Sequence, residues 1–337
     1  MNPEQALERY IADHQVDGIA YTRHDSGLYF TDDDNSLYTG LMLGAMAYRY
    51  AASPSPDKLE AVRMCLRGVS LLTRATGEPG VLVRRAMPSS MAHQFGVYET
   101  LAPGNFWIGK PLEESADYIY QLKTTKDQAT GILFGLACCR KLLWGVDPQI
   151  NDSVSQIIHD MYRAIESRDW SLRDHKGRTH GTSAHVLDAG LKLLLQSLAY
   201  SVGAPIEKPS NSWFTYVDMM TMHYNTIFQN AYSHGLNAAN QHALVLLSDF
   251  HRSDLGVVRW GERINALVYP ECNPFWELLL TGKLSPIGEF RLEESGEEPY
   301  AKFFKWNKYT KELRQRDDTS GPMIDYMLVS YMRDYLS

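Results

Sequence analysis

Asp32-Asp33-Asp34-Asn35-Ser36-Leu37-Tyr38-Thr39-Gly40-Leu41-Met42-Leu43-Gly44-Ala45 decides the reading of this chain, because a second stretch repeats its design. That second stretch is Thr124-Thr125-Lys126-Asp127-Gln128-Ala129-Thr130-Gly131-Ile132-Leu133-Phe134-Gly135-Leu136-Ala137. Each runs from a polar, acid-bearing loop into Thr-Gly, then three large apolar residues, Gly and an apolar helix. Asp and Asn suit helix starts because their side-chain oxygens can accept from free backbone N–H groups. Gly at those spacings lets a second helix approach closely. Two equivalent helices with acids at their mouths have the parts for general acid/base chemistry.

The pattern on either side is helical. Helices are expected at 3–14, 37–52, 57–76, 127–144, 151–167, 183–202, 213–229, 236–250, 254–268, 274–281 and 323–336. Asp57 is expected to cap the third. Residues 288–299, acidic and bracketed by Gly288 and Pro299, read as a loop. Residues 78–115 carry Gly80, Pro88, Gly96, Pro103, Gly104, Gly109 and Pro111, and read as a long irregular excursion with short strands. Further strand candidates are Ile19-Ala20-Tyr21-Thr22 and a hairpin around Lys176-Gly177. Helices joined by short turns pack antiparallel. Small-residue-rich helices such as 37–52 are buried nearly all round. Alternating inner and outer helices satisfy both demands, so the predicted fold is all-α, an (α/α)6 toroid or barrel with irregular loops and short β pieces at one end. No linker divides the chain, and residues 1–337 are expected to form a single domain.

Composition narrows the function. The chain has 337 residues, 44% of them hydrophobic and 22% charged, with a formal net charge of -7. Clustered Lys and Arg, the footprint of a nucleic-acid binder, are missing. No apolar run is long enough for a bilayer, and the N-terminal Met1-Asn2-Pro3-Glu4-Gln5 does not read as a secretory signal. A cytoplasmic protein is expected, with a small molecule or oligosaccharide as substrate and no nucleic-acid or membrane partner. Oligomeric state is not legible. The four cysteines, Cys65, Cys138, Cys139 and Cys272, form no Cys-x-x-Cys pair and read as buried thiols. No cofactor and no metal is expected.

The chain resembles, over most of its length, the (α/α)6 toroids of the six-hairpin glycosidase type. The residues that carry this are Asp33-Asp34-Asn35-Ser36-Leu37-Tyr38-Thr39-Gly40, Thr76-Gly77-Glu78-Pro79-Gly80 and Thr124-Thr125-Lys126-Asp127-Gln128, with Asn273-Pro274-Phe275-Trp276 and Gly321-Pro322-Met323-Ile324-Asp325-Tyr326-Met327. Similar bacterial proteins carry Asp-Asn-Asp-Gly-Leu-Trp-Thr and Thr-Ser-Ser-Asp-Glu segments. Here Asn35-Ser36 stands where those relatives have Asp-Gly. Within the wider group, unsaturated uronyl hydrolases use helix-mouth aspartates as general acid/base. The resemblance implies that role for Asp33 or Asp34 and for Asp127.

The candidate catalytic residues are therefore Asp33, Asp34 and Asp127, joined by His180 and His234 at two further helix mouths. Three successive carboxylates repel one another, and one can then keep the proton a general acid needs. Plain helix capping is the competing reading for each aspartate. His185 and His242 fall inside helices and read as core residues with a partner. Candidate substrate-binding residues are Tyr38, Arg84, Trp107, Gln128, Trp213, Tyr224 and Asn237. Aromatic walls stack on sugar rings but also line cores. Arg84 and Arg85 can clamp a carboxylate or simply face solvent. Asn151-Asp152-Ser153-Val154-Ser155-Gln156-Ile157-Ile158-His159 approaches the metal motif of class I terpene synthases, with His159 in place of the final acid. A helix cap at Asn151 or Asp152 explains it without metal.

Three functions remain open. The first is an acid/base enzyme acting on a carbohydrate, as a glycoside hydrolase or a polysaccharide lyase, with a uronic-acid-containing oligosaccharide as one form of substrate. The second is a lyase, isomerase or cyclase that encloses a small apolar metabolite. The third is a non-catalytic toroid that binds a ligand.

Overall fold

The computed structural model describes residues 1–23, 29–30, 34–94, 107–109, 117–122, 124–173, 186–210, 231–252, 274–296 and 320–337. Those residues are mostly helical. The expected helices 213–229 and 254–268, the hairpin around Lys176-Gly177, His185 and Cys272 lie outside them.

Helix α1 (Pro3–Asp13) starts with a reciprocal cap: Gln5 N donates to Asn2 Oδ1 at 2.9 Å and Asn2 N to Gln5 Oε1 at 3.1 Å. Two short antiparallel ladders follow, β1 (Gln15–Val16) with β2 (Ile19–Ala20), and β3 (Thr22–Arg23) with β4 (Tyr29–Phe30). Gly18 turns the first at φ +81°, and a Cβ there would lie 2.0 Å from Met64 O. The hairpin is thus pressed onto α3 (Pro56–Leu72), which follows α2 (Asn35–Ala52) after a short Ser-Pro turn. A three-stranded antiparallel sheet comes next in the order β5-β7-β6, built from β5 (Arg85–Pro88), β6 (Trp107–Gly109) and β7 (Tyr118–Gln121). A short 3-10 helix, Ser89–Gln94, leaves β5. The remaining helices are α4 (Lys126–Leu142), α5 (Pro148–Glu166), α6 (Ala189–Ser201), α7 (Ala231–Leu246), α8 (Pro274–Thr281), α9 (Pro286–Ser295) and α10 (Ser320–Leu336).

Contacts give the helices their directions. A Cβ on Gly40 would sit 2.1 Å from Gly131 C, one on Gly135 2.3 Å from Gly40 O, and one on Gly44 2.5 Å from Phe134. Numbers rise together along both helices, so α2 and α4 run parallel, backbone nearly on backbone. Helix α10 is parallel to α2, since Gly321 meets Tyr38 at one end and the Tyr335 ring lies 5.5 Å from Tyr48 at the other. Helix α6 is parallel to α4: Lys126 pairs with Asp188 at 3.5 Å, and Arg140 reaches Ser201 O at 2.9 Å. A second row runs the other way. Helices α3 and α5 are parallel to each other, bridged by Arg63–Asp147 at 2.6 Å and Arg74–Asp160 at 3.1 Å. Each turns back on its predecessor through a short loop. Helix α1 joins this row, because its start meets the far ends of α2 and α10 through Glu4–Arg49 at 2.5 Å and Tyr331 Oη–Pro3 O at 3.1 Å.

The two rows differ in burial. In α2 every residue from Asn35 to Tyr48 is buried, whereas α5 buries one face through Ile150, Val154, Ile157, Ile158, Met161 and Ile165. The first row, buried nearly all round along most of α2 and α4, is covered by the amphipathic α3 and α5.

Several expected boundaries move. Residues 286–295 form a helix where a loop was expected, because Ser285-Pro286 is a start signal: Gly288 N donates to Ser285 Oγ at 3.1 Å and Leu292 is buried. Helix α3 is capped by Ser55, not Asp57, which lies in the first turn. Helix α5 is capped by Asp147, whose Oδ1 accepts from Ile150 N at 2.9 Å, and neither Asn151 nor Asp152 caps it. In both cases proline at the first helical position sets the start upstream of the acid. Strand β7 was not anticipated, since its residues carry no turn signal beside them.

Candidate functional site

The two acid-bearing repeats meet. Between them runs the segment that leaves α3. Ser36 Oγ donates to Val83 O at 2.6 Å, and Thr124 Oγ1 donates to the adjacent Leu82 O at 2.6 Å. Each repeat thus contributes one hydroxyl to one strand of chain. Arg84 N donates to Gln121 O at 2.8 Å, which ties the same segment to β7. Gly80, at φ +79°, lets it pass within contact of the α5 backbone, where a Cβ would lie 2.0 Å from Asp160 O. The result sets the start of α2, the start of α4 and Arg84 side by side.

Asp34 occupies the N-cap position of α2, yet its carboxylate makes no capping bond. Asp34 Oδ1 instead accepts from Gln128 Nε2 at 2.7 Å and faces Arg84 Nη2 at 3.4 Å. Gln128 is fully buried, and its Oε1 accepts from Thr125 N at 2.8 Å and from Thr125 Oγ1 at 2.7 Å. Its amide therefore spans both repeats. Thr125, not Asp127, is the N-cap residue of α4, and Asp127 stands half-buried in the first turn. The Thr-x-x-Gln spacing is a capping-box pattern and is the signal that identifies Thr125 from sequence. Ser36, Thr124 and Gln121 carry no comparable signal, because their partners are distant in the chain.

Among the described residues, four parallel helices begin at this end, α2, α4, α6 and α10. Each helix start carries a partial positive charge, and acids at that end offset it. Asp34, Asp127 and Asp188 are placed there. Asp188 caps α6 through Leu191 N at 3.0 Å and also holds Lys126. Arg84 and Arg85 part company: Arg85 is buried with its Nε on Gln121 Oε1 at 2.5 Å, while Arg84 keeps a partly open side chain beside Asp34.

Of the other candidate residues, Tyr38 is buried against Gly321 of α10. Asp33, His180, Trp213 and Tyr224 lie outside the described residues. Trp107 falls in β6, and His234 and Asn237 in α7, by backbone position alone. His242 is hydrogen-bonded through Nε2 to the Tyr48 hydroxyl at 2.6 Å, and its ring tilts against Phe134. Burial lowers its pKa to about 4. It sits ~21 Å along α2 from Asp34, by 14 residues of helical rise, and takes no part in this site. Burial pushes the Cys65 thiol up to about 12 and raises Cys138 and Cys139 as well, so these thiols are inert core residues.

A cavity of about 1150 Å³ opens elsewhere, between α3 and α5, lined by Arg63, Arg67, Arg74, Gln149, Asp152 and Gln156 among others. Its base is the buried Arg74–Asp160 pair, to which Gln156 Nε2 donates at 2.9 Å. Asp34, Arg84 and Gln128 do not line it, and within it Arg63 pairs with Glu60 and Arg74 with Asp160. Among the described residues no group of three or more His, Cys, Asp or Glu side chains could hold a metal ion, and no helix is long and apolar enough to cross a membrane.

No known protein family, curated protein or solved structure matches this chain.

Proposed function

We propose that this chain is an enzyme that works by general acid/base catalysis with carboxylates at the mouths of parallel helices, acting on a carbohydrate. The single observation that supports this is Asp34. A carboxylate at an N-cap ordinarily satisfies the helix's own N–H groups. This one is withheld from that task, held by Gln128 and Arg84, and set beside the helix start that carries Asp127.

In a glycoside hydrolysis the roles divide between two acids. Asp34, whose recorded partners are both donors to Oδ1, is arranged to accept. It would take the proton from, or orient, the attacking water. Asp127 would give a proton to the leaving glycosidic oxygen as its bond to the anomeric carbon breaks. His180 and His234 are proposed to assist, His180 from the chain that precedes α6, which begins at Ala189 and not at 183 as expected, and His234 from the first turn of α7. The parallel inside row and antiparallel outside row are what a closed ring of six helical hairpins would require. We place the site at the mouth of that (α/α)6 toroid, in a single cytoplasmic domain that takes an oligosaccharide as its partner.

Asp34→Asn and Asp127→Asn each remove one carboxylate with little change of shape. Assayed on a glycan panel that contains uronic-acid oligosaccharides, each is expected to lower turnover of a cleaved substrate by about 10²–10⁴-fold. Unchanged turnover in both variants would end the assignment.

A further inference from the structure

The walls of the cavity between α3 and α5 follow a pattern. Gln149, Ser153, Gln156 and Asp160 line it from α5 at i, i+4, i+7 and i+11, which is one face of that helix. Arg63, Arg67, Ser70 and Arg74 line it at the same spacing from α3 and the turn that ends it. The Arg63–Asp147 and Arg74–Asp160 pairs hold the two walls in register. Between them lie the buried Leu66, Leu71, Ile150 and Ile157. The result is a groove with an apolar floor and hydrogen-bonding sides, which runs for ~16 Å of helical rise.

A second, smaller pocket of about 380 Å³ adjoins the groove where α3 and α5 begin. Tyr50, Pro54, Pro56 and Leu59 make it apolar, and Arg63 lines both spaces. Arg63 is fixed at this junction by Glu60 at 3.0 Å and Asp147 at 2.6 Å. Exposed apolar side chains gather around the same end. Ile11 lines the groove, and Trp144 and Val146 stand on the turn just before Asp147. Exposed apolar groups clustered at the rim of a groove mark an interaction surface. The charge there is negative. Asp57 and Asp152 line the groove at this end, and among the described residues neither forms an ion pair.

We propose that this groove docks an extended peptide segment of a partner protein, with an apolar side chain in the Tyr50–Leu59 pocket and a Lys or Arg next to it against Asp57 and Asp152. The wall groups recur every ~4.5–6 Å along each helix, close to the ~6.6 Å that two residues of an extended chain cover. A peptide bond offers one donor and one acceptor, and the amides of Gln149 and Gln156 answer with the same two groups. A docked helix keeps its backbone groups to itself and would leave those amides nothing to meet. A nucleic acid would bring phosphates against Asp57, Glu60, Asp152 and Asp160. The groove holds about five extended residues, and the pocket takes one more.

An array of immobilised hexapeptides, with each residue type placed in turn at each position, is probed with the fluorescently labelled full chain. The sequences retained are then measured by fluorescence polarisation. An apolar residue followed by Lys or Arg is expected to be selected, and replacing the basic residue with Glu should weaken binding by about tenfold. Asp152→Lys reverses one exposed charge on the groove wall and should invert that preference, so that the Glu peptide binds better than the Lys peptide. Ser153→Trp fills the groove and should abolish binding of both. Circular dichroism establishes that the variants are folded, and Asp152→Lys carries the test if Ser153→Trp is not. No retained peptide, retained peptides without the apolar–basic pair, or a charge preference unmoved by Asp152→Lys overturns the proposal. Binding of a poly-uridine RNA in preference to every peptide overturns it as well. The readout is peptide binding alone, so its outcome is independent of the carbohydrate reading.

Discussion

Asp34 and Gln128 show how one buried amide can decide what a carboxylate is for. Gln128 Oε1 is taken up by Thr125, so Nε2 is the group left to meet Asp34. Replacing Gln128 with Leu removes the amide from both ends. A buried hydrogen-bonding group left without its partner costs about 1–3 kcal/mol, and urea denaturation should register a loss of that size. Gln128→Glu is the more informative change, because it sets a second carboxylate against Asp34. Like charges in contact repel, so at neutral pH the same urea denaturation should find Gln128→Glu less stable than the wild type, with the gap wider at low ionic strength. Stability equal to the wild type's would mean that the two side chains are not in contact in solution.

Helices α2 and α4 touch through glycine because only glycine lets two parallel backbones come this close. The obstacle a methyl group would meet differs along the seam. At Gly131 it is the Leu37 carbonyl, 2.3 Å from a built Cβ, and backbone cannot step aside without moving the helix. At Gly44 it is the Phe134 ring, a side chain that can turn. Overpacking of a close-packed interior costs about 1–3 kcal/mol and sometimes more. Gly131→Ala should fall at or above that range in denaturant melts, and Gly44→Ala below it. Equal losses at the two positions would show that the seam is looser than the contacts imply. The same seam positions the site, since a shift between α2 and α4 separates Asp34 from Gln128.

The whole molecule gathers several helix starts at one end and therefore several helix finishes at the other. His242 lies toward that second end, bonded to Tyr48 between α2, α4 and α7. Burial holds its pKa near 4, below the unperturbed 6.5, so the unfolded chain binds this proton more readily than the folded one. The sign follows from linkage: its contribution is fully present above about pH 6.5 and is lost as pH falls toward 4. A loss on the order of 1–3 kcal/mol across that window is expected. His242→Gln keeps a hydrogen-bonding partner for Tyr48 and removes the titration. Its stability should fall less steeply than the wild type between pH 6.5 and 4, by the same denaturant measurement. Parallel slopes would place the acid sensitivity elsewhere in the molecule.

Much of this was written locally. Apolar periodicity announces α2, α4, α5 and α10, and the match at α8 is complete, because helices state their period within a few turns. Ser55-Pro56, Asp147-Pro148 and Ser285-Pro286 also announce starts, and there the proline outranks the nearby acids. The pairing of the two repeats was legible as a likeness, but a likeness does not say that they touch. That Asp34 serves Gln128 and not its own helix, that Arg84 separates from Arg85, and that Ser36 and Thr124 hold neighbouring carbonyls depend on chain brought together from 36 to 94 residues away. Side-chain partners across such distances are chosen by which backbones can approach, and here the glycines of α2 and α4 set that approach. Sequence alone marked most of the described helices and the glycines that allow close approach; tertiary packing joined those glycines into a seam and decided which carboxylate was left over for chemistry.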